Sequence, residues 1–255
     1  MASGDVDCKL TNPLASYGIF GDGIDDYVDT GLPSTILAND FSINIWCQVT
    51  SDSENWKYLL ASERVTAPYS SGVSIFITIG KSLFFYYPVT LEVIASVDDG
   101  VWHMLTMVRD KAAGTYEGFI DGVSVGTSAA VADPATTATT IKLFTSADAT
   151  TGFGKMGARE CSIYQRKLTQ AEITALYNYL TVPTDAYAYW KFNGNLLDSS
   201  GNGRNCTIGS GTYYGAVDNA LNTVVAAQRA ATGSSYKTPY FIEVQQKVMS
   251  TFIDT

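Results

Sequence analysis

Nine residues in the first quarter of the chain, Phe41 to Val49, alternate with a strict period of two. One face of this segment carries Phe41, Ile43, Ile45, Cys47 and Val49. Successive side chains of a β-strand point to opposite faces, so the pattern predicts a strand with one wholly apolar face. Such a strand must bury that face against a second layer, which favours a sheet packed on another element.

Short strand-like segments continue along the chain, with turn signals between them. Turns are predicted at Asp98-Asp99-Gly100, Ala113-Gly114 and Asp121-Gly122, where glycine readily supplies positive φ. The further predicted strands are 57–62, 73–79, 83–87, 89–96, 101–109, 115–120, 124–127, 141–145 and 156–165. Many short strands separated by turns are typical of an antiparallel β-sandwich.

One helix has a clear start signal in the sequence. Thr169 and Glu172 have the spacing of a capping box, in which each side chain bonds the backbone of the other. Ile173, Leu176 and Tyr177 then form an apolar stripe. The sequence therefore predicts an all-β fold with one short helix near 169–179.

Composition and charge exclude several classes of protein. Only 16% of the residues are charged, against about 25% in ordinary soluble domains. The net charge of −9 argues against nucleic-acid partners and against binding to an anionic membrane. No apolar run approaches the about 18–20 residues of a membrane span, and MASGDVDCKL is not a signal peptide, so we expect no membrane insertion and no export by a leader.

The four cysteines, Cys8, Cys47, Cys161 and Cys206, lack the spacing of a zinc site. Two alternatives remain for them: free or buried thiols, or at least one disulfide.

Five motifs occur in order: FGDGIDDYVDTG, DFSINIWCQV, DDGVWHMLTMVRD, GTYEGFIDGVSVG and GFGKMGARECSIYQRKLTQAEITALYN. Together they resemble the laminin-G-like, concanavalin-A-like jelly-roll superfamily, in its pentraxin-like bacterial and phage branch. The resemblance covers about residues 17–180 and implies an antiparallel jelly-roll β-sandwich. It also implies that Trp102 and His103 lie on a central strand.

The segment 187–222 resembles the opening of a second domain of the same family. The predicted organisation is an arm at 1–16, a sandwich at 17–182, a completing segment at 183–222 and a helical tail at 223–255. Because a lone strand is unstable, 183–222 must add to a sheet, either of its own chain or of a neighbouring copy. The tail is predicted to form a helix, whose apolar face consists of Phe241, Val244, Val248 and Phe252. This face is expected to dock either on the sandwich of its own chain or on a partner subunit.

Catalytic residues are not found in the sequence. A retaining glycosidase needs two carboxyl groups about 5–5.5 Å apart, and no strand carries acids at the spacing that would place them so. Asp25 and Asp26 are adjacent, so in a strand their side chains would point to opposite faces. His103 is the only histidine and lies in an apolar strand, which predicts a packed, hydrogen-bonded histidine. We expect a protein that is not an enzyme.

Calcium is the one cofactor that the sequence suggests. The loop from Asp198 to Gly203 is rich in side-chain oxygens, and the resemblance implies that the matching loop can bind calcium at the sandwich rim. Asp198 and Asn202 are its candidate ligands, and the alternative is a simple Asx turn. Asp22 and Asp25 form a second candidate metal site.

Lectin-like sandwiches suggest carbohydrate binding, which needs an exposed aromatic platform. The candidates are Trp56, Tyr58, Tyr69 and Tyr86, and the alternative for each of them is a place in the core.

The function predicted from these features is a virion structural protein: a capsid decoration, head fibre or tail-associated protein that displays a lectin-like sandwich. Its partners would be other virion proteins, copies of itself or a cell-surface glycan, and its location the virion surface. The alternative is a calcium-dependent carbohydrate-binding module of a secreted bacterial adhesin or glycan-degrading protein, located outside the cell or on its surface.

Overall fold

A computed structural model describes residues 17–50, 56–62, 72–78, 83–86, 90–93, 97–129, 133, 139–178, 182–210 and 213–216. The strands are β1 Tyr17–Asp22, β2 Tyr27–Pro33, β3 Phe41–Thr50, β4 Trp56–Ala61, β5 Ser74–Thr78, β6 Leu83–Tyr86, β7 Thr90–Val93, β8 Asp99–Asp110, β9 Thr115–Ile120, β10 Val123–Thr127, β11 Thr140–Leu143, β12 Lys155–Tyr164, β13 Ala188–Trp190, β14 Thr207–Ser210 and β15 Tyr213–Ala216. A 3₁₀ turn spans Ser34–Leu37, and helix α1 spans Gln170–Tyr177.

Within the described residues, the strands form two antiparallel sheets that pack as a sandwich. The first sheet has the order β10-β9-β8-β3-β12-β1-β15, and β13 also pairs with β12. The second sheet has the order β14-β2-β11-β4-β5-β6-β7. The predicted all-β sandwich is therefore confirmed, and Trp102 and His103 lie on β8, an internal strand of the first sheet.

The main core lies between the two sheets, and the alternation of β3 explains how the first sheet contributes to it. The five apolar residues predicted to share a face of β3 are all buried in this core. They meet core residues of the second sheet, among them Val28, Leu60 and Leu143.

The other face of the first sheet is buried as well, beneath α1. Ile173 and Leu176 of α1 join Trp46 of β3 and Met104 of β8 in a second apolar cluster. The capping box predicted for α1 is confirmed, because the Thr169 hydroxyl accepts from the Glu172 N–H and the Glu172 carboxylate accepts from the Thr169 N–H.

Arg159 is buried on this outer face, where its charge is stabilised by two indole rings. The guanidinium carbon lies 4.4 Å from the ring centroid of Trp102 and 5.1 Å from that of Trp46. Cation–π contacts of this kind are favourable when the cation is desolvated, which accounts for a charged residue in a largely apolar layer.

The segment after α1 completes the first sheet at a gap that β1 leaves. β1 pairs with the first half of β12, up to Ala158, and β13 pairs with the second half, from Cys161 to Ile163. Glu160 lies between the halves at a register shift of β12 and has a φ of 49°. An extra residue in one strand bends that strand, so the bulge at Glu160 marks the change of partner from β1 to β13.

Two further strands of this segment extend both sheets of the same chain. β14 pairs with β2 at the edge of the second sheet, and β15 pairs with β1 at the edge of the first. These pairings show that β13, β14 and β15 add to sheets of their own chain, while the division of the chain into four predicted segments stays a prediction. Residues 1–16 and 223–255, with the predicted arm and helical tail, lie outside the described residues.

Three of the four cysteines lie in the described part, and all three are free and buried. Burial raises the pKa of the Cys47, Cys161 and Cys206 thiols well above the ordinary value, so they are protonated in the core.

Arg166 joins the start of α1 to the segment that leads into β13. Its guanidinium donates to both Glu172 oxygens, at 2.7 and 3.0 Å, and to Asp185 at 3.0 Å. The hydrogen bonds from Arg166 lower the pKa of Glu172 to about 2. Two carboxylates from different parts of the chain thus meet on one planar cation.

Replacing Arg166 with methionine is expected to lower the free energy of unfolding by about 1 kcal/mol at pH 7, a small value because the pair is partly exposed. The lowered pKa means that Glu172 stabilises the fold above its ordinary value of 4.5 and loses that contribution as the pH falls toward about 2. Urea unfolding at pH 7 and pH 3 should therefore show the difference between wild type and variant shrinking in acid. A difference that is the same at both pH values would contradict this role.

Candidate functional site

Three carboxylates meet in the loop between β1 and β2, at one end of the sandwich. Asp22, Asp25 and Asp26 each place one carboxylate oxygen within 4.8 Å of the others. Asp22 ends β1, Asp25 is exposed in the bend, and Asp26 is fully buried at the start of β2. In the described part of the chain, this is the one group of three such side chains that could hold a metal ion.

The shape of this loop follows from its own hydrogen bonds. The Ile24 N–H donates to Asp22 Oδ1 at 2.9 Å, and the Asp22 N–H donates to Asp26 Oδ2 at 2.9 Å. Gly23 has a φ of 83°, and a Cβ there would lie only 3.0 Å from Lys155. The turn therefore requires glycine, and it draws Asp25 and Asp26 to one side. Ile24, at the tip of this loop, is 74% exposed.

The sequence analysis identified Asp22 and Asp25 but treated Asp26 as pointing to the opposite face from Asp25. That expectation applies only within a strand, and Asp25 lies in a bend, so the alternation of side chains does not hold here. The three carboxylates of GDGIDD are brought together by the turn. The glycine at position 23 was the signal in the sequence that such a turn was present.

The other predicted metal site, at Asp198 and Asn202, has the hydrogen bonds of a turn. Asp198 Oδ1 accepts from the N–H groups of Tyr189 and Ser200, and its Oδ2 accepts from the Arg204 N–H and the Ser200 hydroxyl, all at 2.8–3.0 Å. The Asn202 amide donates to the carbonyl oxygens of Ala186 and Tyr187. The bond from the Ser200 N–H is that of the Asx turn, and calcium binding at this loop stays a prediction.

The predicted glycan platform is not assembled by the described residues. Tyr58 is only 6% exposed, and it packs in one cluster with Phe76, Ala61 and Ala147. Its ring centroid lies 5.5 Å from that of Phe76, so Tyr58 is a packing residue and not the exposed ring that was expected. Tyr69 and the side chains of Trp56 and Tyr86 lie outside the described part.

His103 is a packed, hydrogen-bonded strand residue, as predicted. Its Nδ1 lies 2.7 Å from Asp121 Oδ2, and its Nε2 lies 3.3 Å from Asp99 Oδ1. Burial opposes the charge on the imidazole, but the two carboxylates outweigh burial and raise the pKa of His103. The histidine thus links the start of β8 to the β9–β10 turn.

Glu160 is a buried carboxyl group of β12 that the sequence analysis did not single out. Burial raises its pKa, and the Tyr189 hydroxyl donates to its carboxylate. A perturbed carboxyl group is a candidate acid in an enzyme. Glu160 is buried, however, and its hydrogen bond with Tyr189, a member of the apolar cluster beneath α1, holds the completing strand in place.

Comparison with known proteins gives the following. A profile described as the concanavalin A-like lectin/glucanases superfamily matches residues 22–174, which is more than half of the 255-residue chain. No curated protein matches the chain. Among the described residues, no helix has the length and apolar character needed to cross a membrane.

Several solved structures share the fold. A Bacteroides ovatus protein named for carbohydrate binding is 13% identical with a TM-score of 0.62, and the match covers 80% of this chain and 60% of that protein. A heptameric SAP-like pentraxin from Limulus polyphemus is 11% identical with a TM-score of 0.55, over 80% of this chain and 97% of that chain. The CBM40 of the Ruminococcus gnavus IT-sialidase is 18% identical with a TM-score of 0.50, over 62% and 96%. At these identities, the likeness concerns the fold.

Proposed function

Since the chain belongs to the concanavalin A-like lectin/glucanase superfamily, we propose that it is a carbohydrate-binding module without catalytic activity, displayed outside the cell or on a surface. The observation that carries the proposal is the carboxylate group of Asp22, Asp25 and Asp26 at the rim of a lectin-like sandwich. Names of structures with the same fold, such as the Bacteroides ovatus protein and the CBM40 module, support carbohydrate as the ligand class.

The chemistry of this carboxylate group suits calcium. Calcium takes about six to eight oxygen ligands, and carboxylates in a flexible loop are its usual protein donors. Asp22, Asp25 and Asp26 would hold the ion, and Asp26, which is buried, fixes the loop through the Asp22 N–H. Bound calcium supplies coordination positions that sugar hydroxyls can occupy.

The same geometry favours binding over hydrolysis. A glycosidase places its two carboxyl groups on opposite sides of the scissile bond. Asp22, Asp25 and Asp26 belong to one short turn, and the carboxylates of Asp22 and Asp26 accept from its backbone N–H groups. The three therefore form a single cluster on one side of any bound sugar. A cluster of this kind favours a cation site over an acid–base pair.

The test is to replace Asp25 with asparagine, a change that removes one charge from the cluster at an exposed position. Wild type should gain several degrees in melting temperature with millimolar calcium and should be retained by glycan resins only with calcium, while the variant should lose both effects. Asp110→Asn is the matched control, since Asp110 ends β8 at the other end of the sheet and pairs with Lys167. The proposal is overturned if calcium does not change the melting temperature of wild type and the glycan resins do not retain it.

A second candidate is the virion structural role. Its supporting observation is the low share of charged residues, 16% against about 25% in ordinary soluble domains, which suits a protein that packs among copies of itself. Partners would then be other virion proteins or further copies. Light scattering and projection images of the purified chain test this role. A defined assembly of many copies would support it, and a monomer at all concentrations would contradict it.

A further inference from the structure

Tyr27 lies flat over a glycine next to the rim loop. A Cβ on Gly209 of β14 would lie 2.0 Å from two ring carbons of Tyr27 and 2.4 Å from a third. The ring therefore crosses from β2 onto the neighbouring strand and covers the α-carbon of the glycine. With one face on the backbone, the partly exposed ring can present only its opposite face to a ligand.

Polar side chains line the sheet beside this ring. Val28 is buried in the core, so Tyr27 and Asp29 share the outer face of β2, about 6.6 Å apart along the strand. Lys142 of β11 and Thr207 of β14 are the register partners of Asp29 on its two sides. One row across three strands thus carries an ammonium group, a carboxylate and an exposed hydroxyl.

Hydrogen bonds fix the charged pair in this row. Lys142 Nζ lies 3.0 Å from Asp29 Oδ2 and donates to the Thr140 hydroxyl at 2.7 Å. The Thr140 hydroxyl donates to Asp29 Oδ2 at 2.9 Å, and the Gly31 N–H donates to Asp29 Oδ1 at 2.8 Å. Burial alone would raise the pKa of Asp29, but these hydrogen bonds outweigh it, so the pKa is lowered and the group is a carboxylate at neutral pH.

We propose that Tyr27, Asp29, Lys142 and Thr207 form the sugar-binding surface of this module, with Tyr27 as the stacking platform for a neutral hexopyranose. This inference rests on the proposed function and names its site. A pyranose can stack its C–H face on an aromatic ring while its hydroxyls bond polar groups beside that ring, and Asp29 lies next to Tyr27 on the same face of β2. The ligand is a neutral sugar because the Lys142 ammonium and the Asp29 carboxylate balance one another in this row, 3.0 Å apart, and leave no excess charge there to pair with an acidic sugar.

The test uses full-length protein on agarose carrying galactose, glucose or mannose, with calcium present. Tyr27→Phe keeps the ring and should keep retention within about twofold, whereas Tyr27→Leu should weaken retention about tenfold. Gly209→Ala should also weaken it, because the added methyl group displaces the ring without removing it. Ile208→Ala is the matched control, since Ile208 is the register partner of the core residue Val28 and lies on the other face of β14.

The outcomes separate this inference from the proposed function. Loss of retention in Tyr27→Leu and Gly209→Ala, with unchanged melting temperatures and calcium response, supports the Tyr27 surface. Retention that depends on Asp25 but not on Tyr27 overturns the inference alone. If wild type binds none of the resins, both are overturned. If the melting temperature falls in Tyr27→Leu but not in Gly209→Ala, retention of the Gly209→Ala variant decides. Its loss supports the Tyr27 surface, and unchanged retention overturns it.

Discussion

Replacing Trp190 with alanine is expected to lower the free energy of unfolding by about 3–5 kcal/mol, the usual loss for a large side chain removed from a core. Trp190 lies on β13, is fully buried between the sheets, and stacks at 6.4 Å on Phe192, which is also fully buried. Its indole N–H donates to the Arg204 carbonyl at 2.7 Å. The substitution therefore leaves both a cavity and an unsatisfied carbonyl oxygen.

Urea unfolding of wild type and Trp190→Ala measures this loss, and Leu197→Ala is the matched control within the same segment. The side chain of Leu197 is 58% exposed, so its removal should change the free energy by less than about 0.5 kcal/mol. A loss below about 1 kcal/mol for Trp190→Ala would mean that the segment after α1 is not part of the cooperative fold. The intramolecular completion of the sandwich would then be wrong.

Replacing Asp198 with alanine is expected to cost about 2–4 kcal/mol, with or without calcium. Its carboxylate accepts three backbone N–H groups and one hydroxyl, and these bonds connect the turn at 198–204 to β13. Removing the acceptor leaves several donors unsatisfied at once. Asp198→Asn retains one accepting oxygen and should lose less.

The pH dependence of stability gives an independent measure of Asp198. Burial would raise the pKa of the carboxyl group, but the backbone hydrogen bonds outweigh burial and lower it below 3.8. The contribution of Asp198 is therefore present at neutral pH and lost as the pH falls through the lowered pKa. Urea unfolding in EDTA and in calcium separates the alternatives, because a metal ligand would lose its effect in EDTA. If Asp198→Ala is as stable as wild type in EDTA, the hydrogen bonds of this carboxylate do not stabilise the turn.

If both results are as expected, the completing segment is as essential to the fold as the body that it joins. The completing segment then contacts the rest of the fold at two places. One is the bulge at Glu160 in β12, and the other is the guanidinium of Arg166 at the start of α1. A binding surface at Tyr27 would also depend on this segment, because Gly209 of β14 supports the ring. The completing segment would thus contribute both to the stability of the fold and to sugar binding.

Local features of the sequence predicted the elements well. The alternation of Phe41–Val49 identified β3 and its core-facing residues, since apolar side chains at every second residue indicate a strand with one buried face. The capping box identified the start of α1 for a similar reason, as both of its hydrogen bonds lie within four residues. Interactions of this range depend little on the rest of the fold.

The candidate site was predicted only in part. The GDGIDD loop was recognised, but Asp26 was not among its candidate ligands, and one candidate for the platform was Tyr58, which is buried against Phe76. An aromatic residue in a strand has the same local signature in a core and on a surface. The choice depends on which layer covers that face, and in this fold Ala147 belongs to the cluster around Tyr58.

The amino-acid sequence by itself determined most of the strands, the helix and the turns, because hydrophobic period, capping and glycine placement act over a few residues. The family was indicated separately, by the resemblance of five ordered motifs. Only the tertiary structure decided that the outer face of β3 is a second core, that β13 fills the gap beside β12, and that Tyr27 rests on Gly209. These arrangements join residues up to 182 positions apart, Tyr27 and Gly209 being the extreme (209 less 27). They are fixed by the packing of layers and by backbone pairing, which no local pattern specifies.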